Sequence, residues 1–319
     1  MIRHAGWSAG MQLIEAVTLG IVQGVSEFLP ISSTAHLRIV PALLGWQDPG
    51  AGFSAVIQCG TLLAVCVAMR QDIRHLLLGF LTGVKTGQPL ATAASRVAIM
   101  IALGTLPIVV VGFAARHFIR GQARQLEVVA AAVLLGTLLM TLAEGAAWWR
   151  SKRGQTERDG LQSVHFSDGL TMGLSQVLAL IPGISRSGIT IASGILSGLD
   201  RRTAARLSFL LSLPAVAAAG LLEAWQQRQE IFGTIDAASM AAAGALSAAI
   251  VGYGSIRWLL AMLSTNTLWP FILYRLGLAA LLVWLLTTGW IESSACNGKT
   301  QSNFFYAEAL NCDATTTVF

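Results

Sequence analysis

Charge is scarce in this chain, and the scarcity is the first thing that limits its function. Asp, Glu, Lys and Arg make up 12% of the 319 residues, about half of the roughly 25% usual in soluble globular domains. With 54% hydrophobic residues and a mean hydropathy of +0.65, there is too little polar surface to cover a water-exposed globule. Cysteine is scarce too. Four cysteines without a CxxC pair exclude a disulfide scaffold and a thiolate metal site. Cys59 and Cys66 read as small packed residues of an apolar stretch, whereas Cys296 and Cys312 stand in a polar tail where one disulfide or two free thiols are both open. The first fifteen residues lack the charged head, apolar centre and small-residue cleavage pattern of a removed signal, so an uncleaved multi-span protein is expected. Bases outnumber acids by five, but they are scattered through short connections. That distribution suits membrane topology rather than nucleic-acid binding, and no nucleic-acid partner is expected.

Long uncharged windows are plentiful. They predict six transmembrane helices, at 53–69, 97–113, 126–147, 204–222, 237–259 and 270–290, each close to the roughly 20 residues needed to span a bilayer. The most polar long connection, Arg150 to Asp168, reads as an exposed and mobile link between two halves. Those halves echo each other. "GIVQGVSEFLPISST" (20–34) aligns with "GLSQVLALIPGISRS" (173–187) at an offset of 153, pairing Gly20 with Gly173, Gln23 with Gln176, Ile31 with Ile184 and Ser32 with Ser185.

Connections 70–96 and 150–168 each carry four Lys or Arg, whereas 223–236 carries one base against three acids. The positive-inside rule then puts the first two in the cytoplasm. If every span crosses once, the halves insert in opposite senses, as in inverted-repeat transporters. The expected fold is therefore an all-α polytopic membrane protein: six transmembrane helices, two re-entrant helical hairpins (13–40 and 169–199) and an inverted-topology repeat. Its units are a first repeat (1–149), the polar connection (150–168), a second repeat (169–290) and a polar tail (291–319).

Each hairpin holds a reversal with chemistry beside it. The first contains Pro30, Ser32 and Ser33; the second contains Pro182, Gly183 and Ser185. Proline interrupts a helix, glycine relaxes the backbone, and serine caps the next helix. The new helix start then offers N–H groups to an anion. Glu27, one turn after Gln23, is a carboxylate in an apolar setting, able to hold a metal or accept a proton. The hydroxyls of Ser32, Ser33 and Thr34 can cap or react, and His36 lies three residues beyond Ser33. Arg186, flanked by Ser185, Ser187 and Gly188, can grip phosphate with a planar fork. Arg201 and Arg202 sit at the edge of a span, where an interfacial role outweighs substrate contact.

Together, Gln23–Glu27–Pro30–Ser32–Ser33–His36 and Pro182–Gly183–Ser185–Arg186–Ser187–Gly188–Thr190 resemble the two signatures of the bacterial undecaprenyl-pyrophosphate phosphatase family, the bacitracin-resistance proteins. The hydrophobic layout resembles that family from about residue 11 to 290. Gln23 departs from the glutamate found in many relatives and cannot supply its charge. The resemblance implies a hydrolase of the bacterial cytoplasmic (inner) membrane that removes the terminal phosphate of undecaprenyl pyrophosphate and recycles the lipid carrier for the cell envelope. It further implies a site open to the exported face and a divalent cation, Mg2+ or Ca2+, at Glu27. Glu27, Ser33, His36 and Arg186 are the expected catalytic residues, and Gln23, Ser32, Thr34, Gly183, Ser185, Ser187, Gly188 and Thr190 the expected substrate contacts. Ser33, His36 and water all remain open as nucleophile. A homo-oligomer stays open, as does a flippase that moves an anionic prenyl lipid without cleaving it.

Overall fold

The computed structural model describes residues 11–47, 50–115, 118, 123 and 125–288. The chain is all helical there: α1 (Leu13–Ser26), α2 (Ser33–Leu44), α3 (Gly50–Ala68), α4 (Arg70–Lys85), α5 (Ala93–Ala114), α6 (Leu126–Lys152), α7 (Phe166–Leu178), α8 (Arg186–Leu196), α9 (Arg201–Gln226), α10 (Arg228–Phe232), α11 (Ile235–Met262) and α12 (Trp269–Thr287). Six of these, α3, α5, α6, α9, α11 and α12, are long and apolar enough to cross a membrane. They coincide with the six expected spans, their ends differing by up to five residues. Large apolar side chains such as Leu106, Val110, Leu222, Ile250 and Leu273 point outward, which suits a lipid surround and not water. The protein is therefore a multi-pass membrane protein. The tail from 291 to 319, with Cys296 and Cys312, lies outside the described residues.

Two elements differ from expectation. The basic connection 70–96 contains a helix, α4, whose charges disguise it in a search for uncharged runs. Gly79 and Gly83 bring it onto α5, where a Cβ on Gly79 would lie 2.6 Å from that of Ala94, while Leu77, Leu78 and Leu81 stay exposed. The connection 150–168 is pinned and not a free link. The Arg158 guanidinium donates to Asp168 at 2.6 and 2.9 Å, to the Ser163 carbonyl at 3.0 Å and to the Ser197 carbonyl at 2.7 Å. Its backbone pairs with Gly198 and Asp200. The Asp168 carboxylate holds the guanidinium above its ordinary pKa. Cys59 is half-buried and Cys66 exposed, so only the first packs inward.

The short helices form two pairs, α1–α2 and α7–α8, built with the same local devices. Gln12 N–H donates to Glu15 at the start of α1 (3.1 Å), and His165 N–H donates to Asp168 at the start of α7 (2.7 Å). These are capping boxes, which satisfy donors left free at a helix start. Gly20 faces the Gly244 carbonyl of α11, and Gly173 faces the Gly104 carbonyl of α5; a Cβ on either would sit 2.3 Å from that oxygen. Ser32 (φ 75°) and Ser185 (φ 73°) are the two non-glycine residues with positive φ among the described residues. Each stands at the N-cap position of the second helix of its pair, and Ser185 also accepts from Gly188 N–H there. A left-handed serine is strained, and it occurs at the same point of both turns. Between the pairs, α3 packs on α9, and Phe28 meets Phe209 of α9 edge-to-face at 5.5 Å, which seats the first turn in the core.

Candidate active site

The two turns meet tip to tip. Gly183 N–H donates to Thr34 Oγ1 (3.3 Å), and Ser187 Oγ donates to the Leu29 carbonyl (3.2 Å). At this junction the Glu27 carboxylate, 9% exposed, collects three donors from both hairpins. Its Oε2 accepts from Ser33 Oγ at 2.8 Å and from Gln23 Nε2 at 3.1 Å, and its Oε1 accepts from Arg186 Nη2 at 2.9 Å. Donors from both hairpins thus meet both oxygens of a carboxylate that would be costly to bury alone.

Two polar atoms here have no partner. Arg186 Nη1 is a buried donor and Gln23 Oε1 a buried acceptor, and neither makes a hydrogen bond. Such atoms are costly unless something meets them. The first suits an anion. The second, beside Glu27, suits a hard cation, since Mg2+ and Ca2+ prefer carboxylate and carbonyl oxygens. No group of three His, Cys, Asp or Glu able to hold a metal occurs among the described residues. Glu27 and Gln23 would therefore offer a divalent ion only a partial set of two oxygen-bearing side chains. The helix starts add to the anion site. Ser33 begins α2 and Arg186 begins α8, so two positive helix ends converge on one place.

The remaining expected residues divide. Ser32 Oγ lies 3.1 Å from Thr34 Oγ1, and Ser185 Oγ accepts from Gly188 N–H at 3.2 Å, as caps and turn braces do. Thr190 Oγ1 donates to the Arg186 carbonyl at 2.7 Å and lies 2.6 Å from Ser208 Oγ in the core. His36 turns away from Ser33: Nδ1 lies 2.7 Å from the Ser32 carbonyl and Nε2 lies 2.5 Å from Tyr274 Oη of α12. Arg201 is held by the buried Glu144 (2.6 and 3.0 Å) and by Glu157 (3.5 Å).

Sequence reasoning passed over Tyr274, Arg275 and Glu144. Their signal was there, a charged or hydroxyl group inside an apolar span, but nothing local named their partners. The void at Glu27 and Arg186, bounded by Thr61, Leu62 and Val65 of α3 and Ser212 and Val216 of α9, measures about 10 Å3, room for one water. A cavity of about 920 Å3 lies away from this site, between Trp148, Glu157, Arg201 and Trp269. Its arginine is already neutralised by two carboxylates, which makes it a poor phosphate site.

Known proteins match this arrangement over most of its length. A model of the family described as bacitracin resistance protein BacA matches residues 16–281. The chain is 44% identical over 283 residues to the undecaprenyl-diphosphatase of Chlorobium phaeobacteroides (strain BS1), covering 89% of this chain and 100% of that one. It is 46% identical over 279 residues to the undecaprenyl-diphosphatase of Chlorobaculum tepidum, covering 88% and 99%, and 42% identical over 283 residues to that of Chloroherpeton thalassium, covering 89% and 100%. The chain belongs to the bacitracin resistance protein BacA family, the bacterial undecaprenyl-pyrophosphate phosphatases.

Proposed function

We propose that the chain hydrolyses the terminal phosphoric anhydride of undecaprenyl pyrophosphate at the junction of the two turns, giving undecaprenyl phosphate and inorganic phosphate for reuse in cell-envelope synthesis. The observation that carries this reading is the contact of Ser33 Oγ with Glu27 Oε2 at 2.8 Å while Arg186 occupies the other carboxylate oxygen. A hydroxyl, a base and an anion binder stand within hydrogen-bond reach of one another.

In the proposed reaction the anionic head displaces Arg186 from Glu27 in part, engaging the free Nη1 and the amides at the starts of α2 and α8. Ser33 Oγ attacks the terminal phosphorus as its proton passes to Glu27. The bond from that phosphorus to the bridging oxygen breaks, and undecaprenyl phosphate leaves. Water then attacks the phosphoserine, the P–Oγ bond breaks, Glu27 returns its proton to Ser33 Oγ, and the proton lost by the water leaves on the inorganic phosphate. A divalent ion held by Glu27 and Gln23 Oε1 supplies neutralisation of phosphate charge when bound. Placement in line and charge stabilisation lower the barrier more than the strength of a serine nucleophile does. Direct attack by His36 is less favoured, because both ring nitrogens already have partners.

The two helix pairs are read as re-entrant hairpins of an inverted repeat, spanning 1–149 and 169–290. Paired capping boxes, paired glycine contacts and paired left-handed serines at a common offset support it, as does the distribution of bases. The first hairpin then enters from the exported face and the second from the cytoplasm, and the site opens to the exported side of the cytoplasmic membrane. The prenyl chain lies against lipid-facing helices, gaining about 0.8 kcal/mol for each CH2 buried.

The test is direct. Purified protein in lipid nanodiscs is given prenyl pyrophosphate, and released phosphate is measured beside movement of intact labelled lipid between vesicle leaflets. Phosphate release by wild type and its loss in Ser33→Ala support hydrolysis. Lipid movement without phosphate release would replace it with a flippase.

A further inference from the structure

Arg275 is the largest fully buried side chain among the described residues, and it lies in the middle of the apolar span α12. Its Nε donates to Thr137 Oγ1 at 2.9 Å, and its Nη2 donates to the carbonyls of Val133 (2.8 Å) and Gly183 (3.1 Å). Space for it is made by Gly136, where a Cβ would lie 2.5 Å from both Arg275 Nη2 and the Ile184 carbonyl. Its Nη1 is buried and makes no hydrogen bond. Among the described residues no carboxylate pairs with it, although Arg158, Arg186, Arg201 and Arg206 all have one.

An arginine inside a membrane protein without a counter-ion is expensive, since desolvation is offset only by dipoles. Its acceptors explain what the cost secures. Gly183 (φ 106°) is the reversal of the second turn, three residues before Arg186. Pulling its carbonyl toward α12 fixes the peptide planes that follow, and so the direction of the amides at the start of α8. The adjacent Tyr274 reaches His36 of α2, whose Nδ1 lies against the Ser32 carbonyl of the first turn, so two consecutive residues of α12 bear on both turns. The missing negative charge is one that a pyrophosphate would bring.

We propose that Arg275 is a positioning residue for the pyrophosphate site: it locks the second turn through the Gly183 carbonyl and leaves an uncompensated positive charge behind the anion. The identity of the anion rests on the phosphatase reading above. A lysine would keep the charge but not the fork that spans Thr137, Val133 and Gly183. Thr137→Val would remove one acceptor and leave the charge in place.

The experiment uses the full chain in nanodiscs, with inorganic pyrophosphate as a competitive ligand and prenyl pyrophosphate as substrate. Arg275→Lys and Arg275→Met are expected to raise the pyrophosphate inhibition constant and the substrate KM by about 10-fold or more, and Thr137→Val by about 2- to 5-fold. Affinity for an uncharged prenyl alcohol is expected to stay at the wild-type value, which a general loss of packing would not allow. A folded Arg275→Lys protein with wild-type inhibition constant and KM overturns the proposal. If neither Arg275 variant folds, Thr137→Val decides, and an unchanged inhibition constant and KM overturn it. Wild-type protein that binds pyrophosphate in an Arg275-dependent manner but releases no phosphate would overturn the hydrolytic reading and leave this one standing.

Discussion

Glu27 and Arg186 lie 159 residues apart in the chain and are joined by a 2.9 Å hydrogen bond between carboxylate and guanidinium. With side-chain exposures of 9% and 13%, the pair is sheltered enough that removing either member leaves the other charge stranded. Arg186→Ala is expected to lower kcat/KM by at least about 100-fold, and Arg186→Lys to recover only part of that, because an ammonium lacks the bidentate fork. Steady-state phosphate release from purified variants checks this; near-normal turnover of a folded Arg186→Ala protein would remove it from the site.

Ser33 and His36 make separable predictions. Ser33→Ala should retain lipid binding and lose hydrolysis, with quenched wild-type reactions carrying phosphate on Ser33. Phosphate found on His36, and persisting in Ser33→Ala, would transfer the nucleophilic role to the imidazole. Tyr274→Phe breaks the contact to His36 Nε2 and is expected to slow turnover by only about 3- to 30-fold if the imidazole supports and does not attack.

Removal of divalent ions tests the pairing of Glu27 with Gln23. Chelation is expected to abolish most phosphate release, and added Mg2+ or Ca2+ to restore it. Gln23→Glu adds a charged ligand at an atom now without a partner, so it should lower the ion concentration needed for half activity by about 10-fold. Full activity after exhaustive chelation would exclude the ion from the reaction.

The orientation of the halves is open to tag-accessibility mapping. Tags near residues 85 and 155 should be reached only from the cytoplasm, and one near 230 only from outside. Residues 85 and 230 on one side would end the inverted-repeat reading.

Arg158 should matter for stability more than for chemistry. Its guanidinium is 25% exposed and its partner Asp168 only 4%, so Arg158→Ala leaves a buried carboxylate with the His165 N–H but no counter-charge and should cost about 1–3 kcal/mol after allowance for solvent screening. The contact raises the guanidinium pKa, so its stabilisation is fully present below the ordinary arginine range and is lost only as pH rises through the folded value. Thermal unfolding should therefore show a deficit in Arg158→Ala that is constant from about pH 6 to 9.

Hydrophobicity and turn chemistry are local, and the sequence alone determined what depends on them: the membrane class, six spans, and two reversals at Pro30 to Ser33 and Pro182 to Ser185. The position of α4 was hidden because a basic amphipathic helix and a basic loop have similar composition. Tertiary structure alone decided which distant groups meet. The bonds of Glu27 to Arg186, His36 to Tyr274, Arg275 to Gly183 and Arg158 to Ser197 join segments with no periodic relation to one another. Their partners are chosen by how the helices pack, because a buried charge or carbonyl must find a mate wherever the fold brings one within about 3 Å.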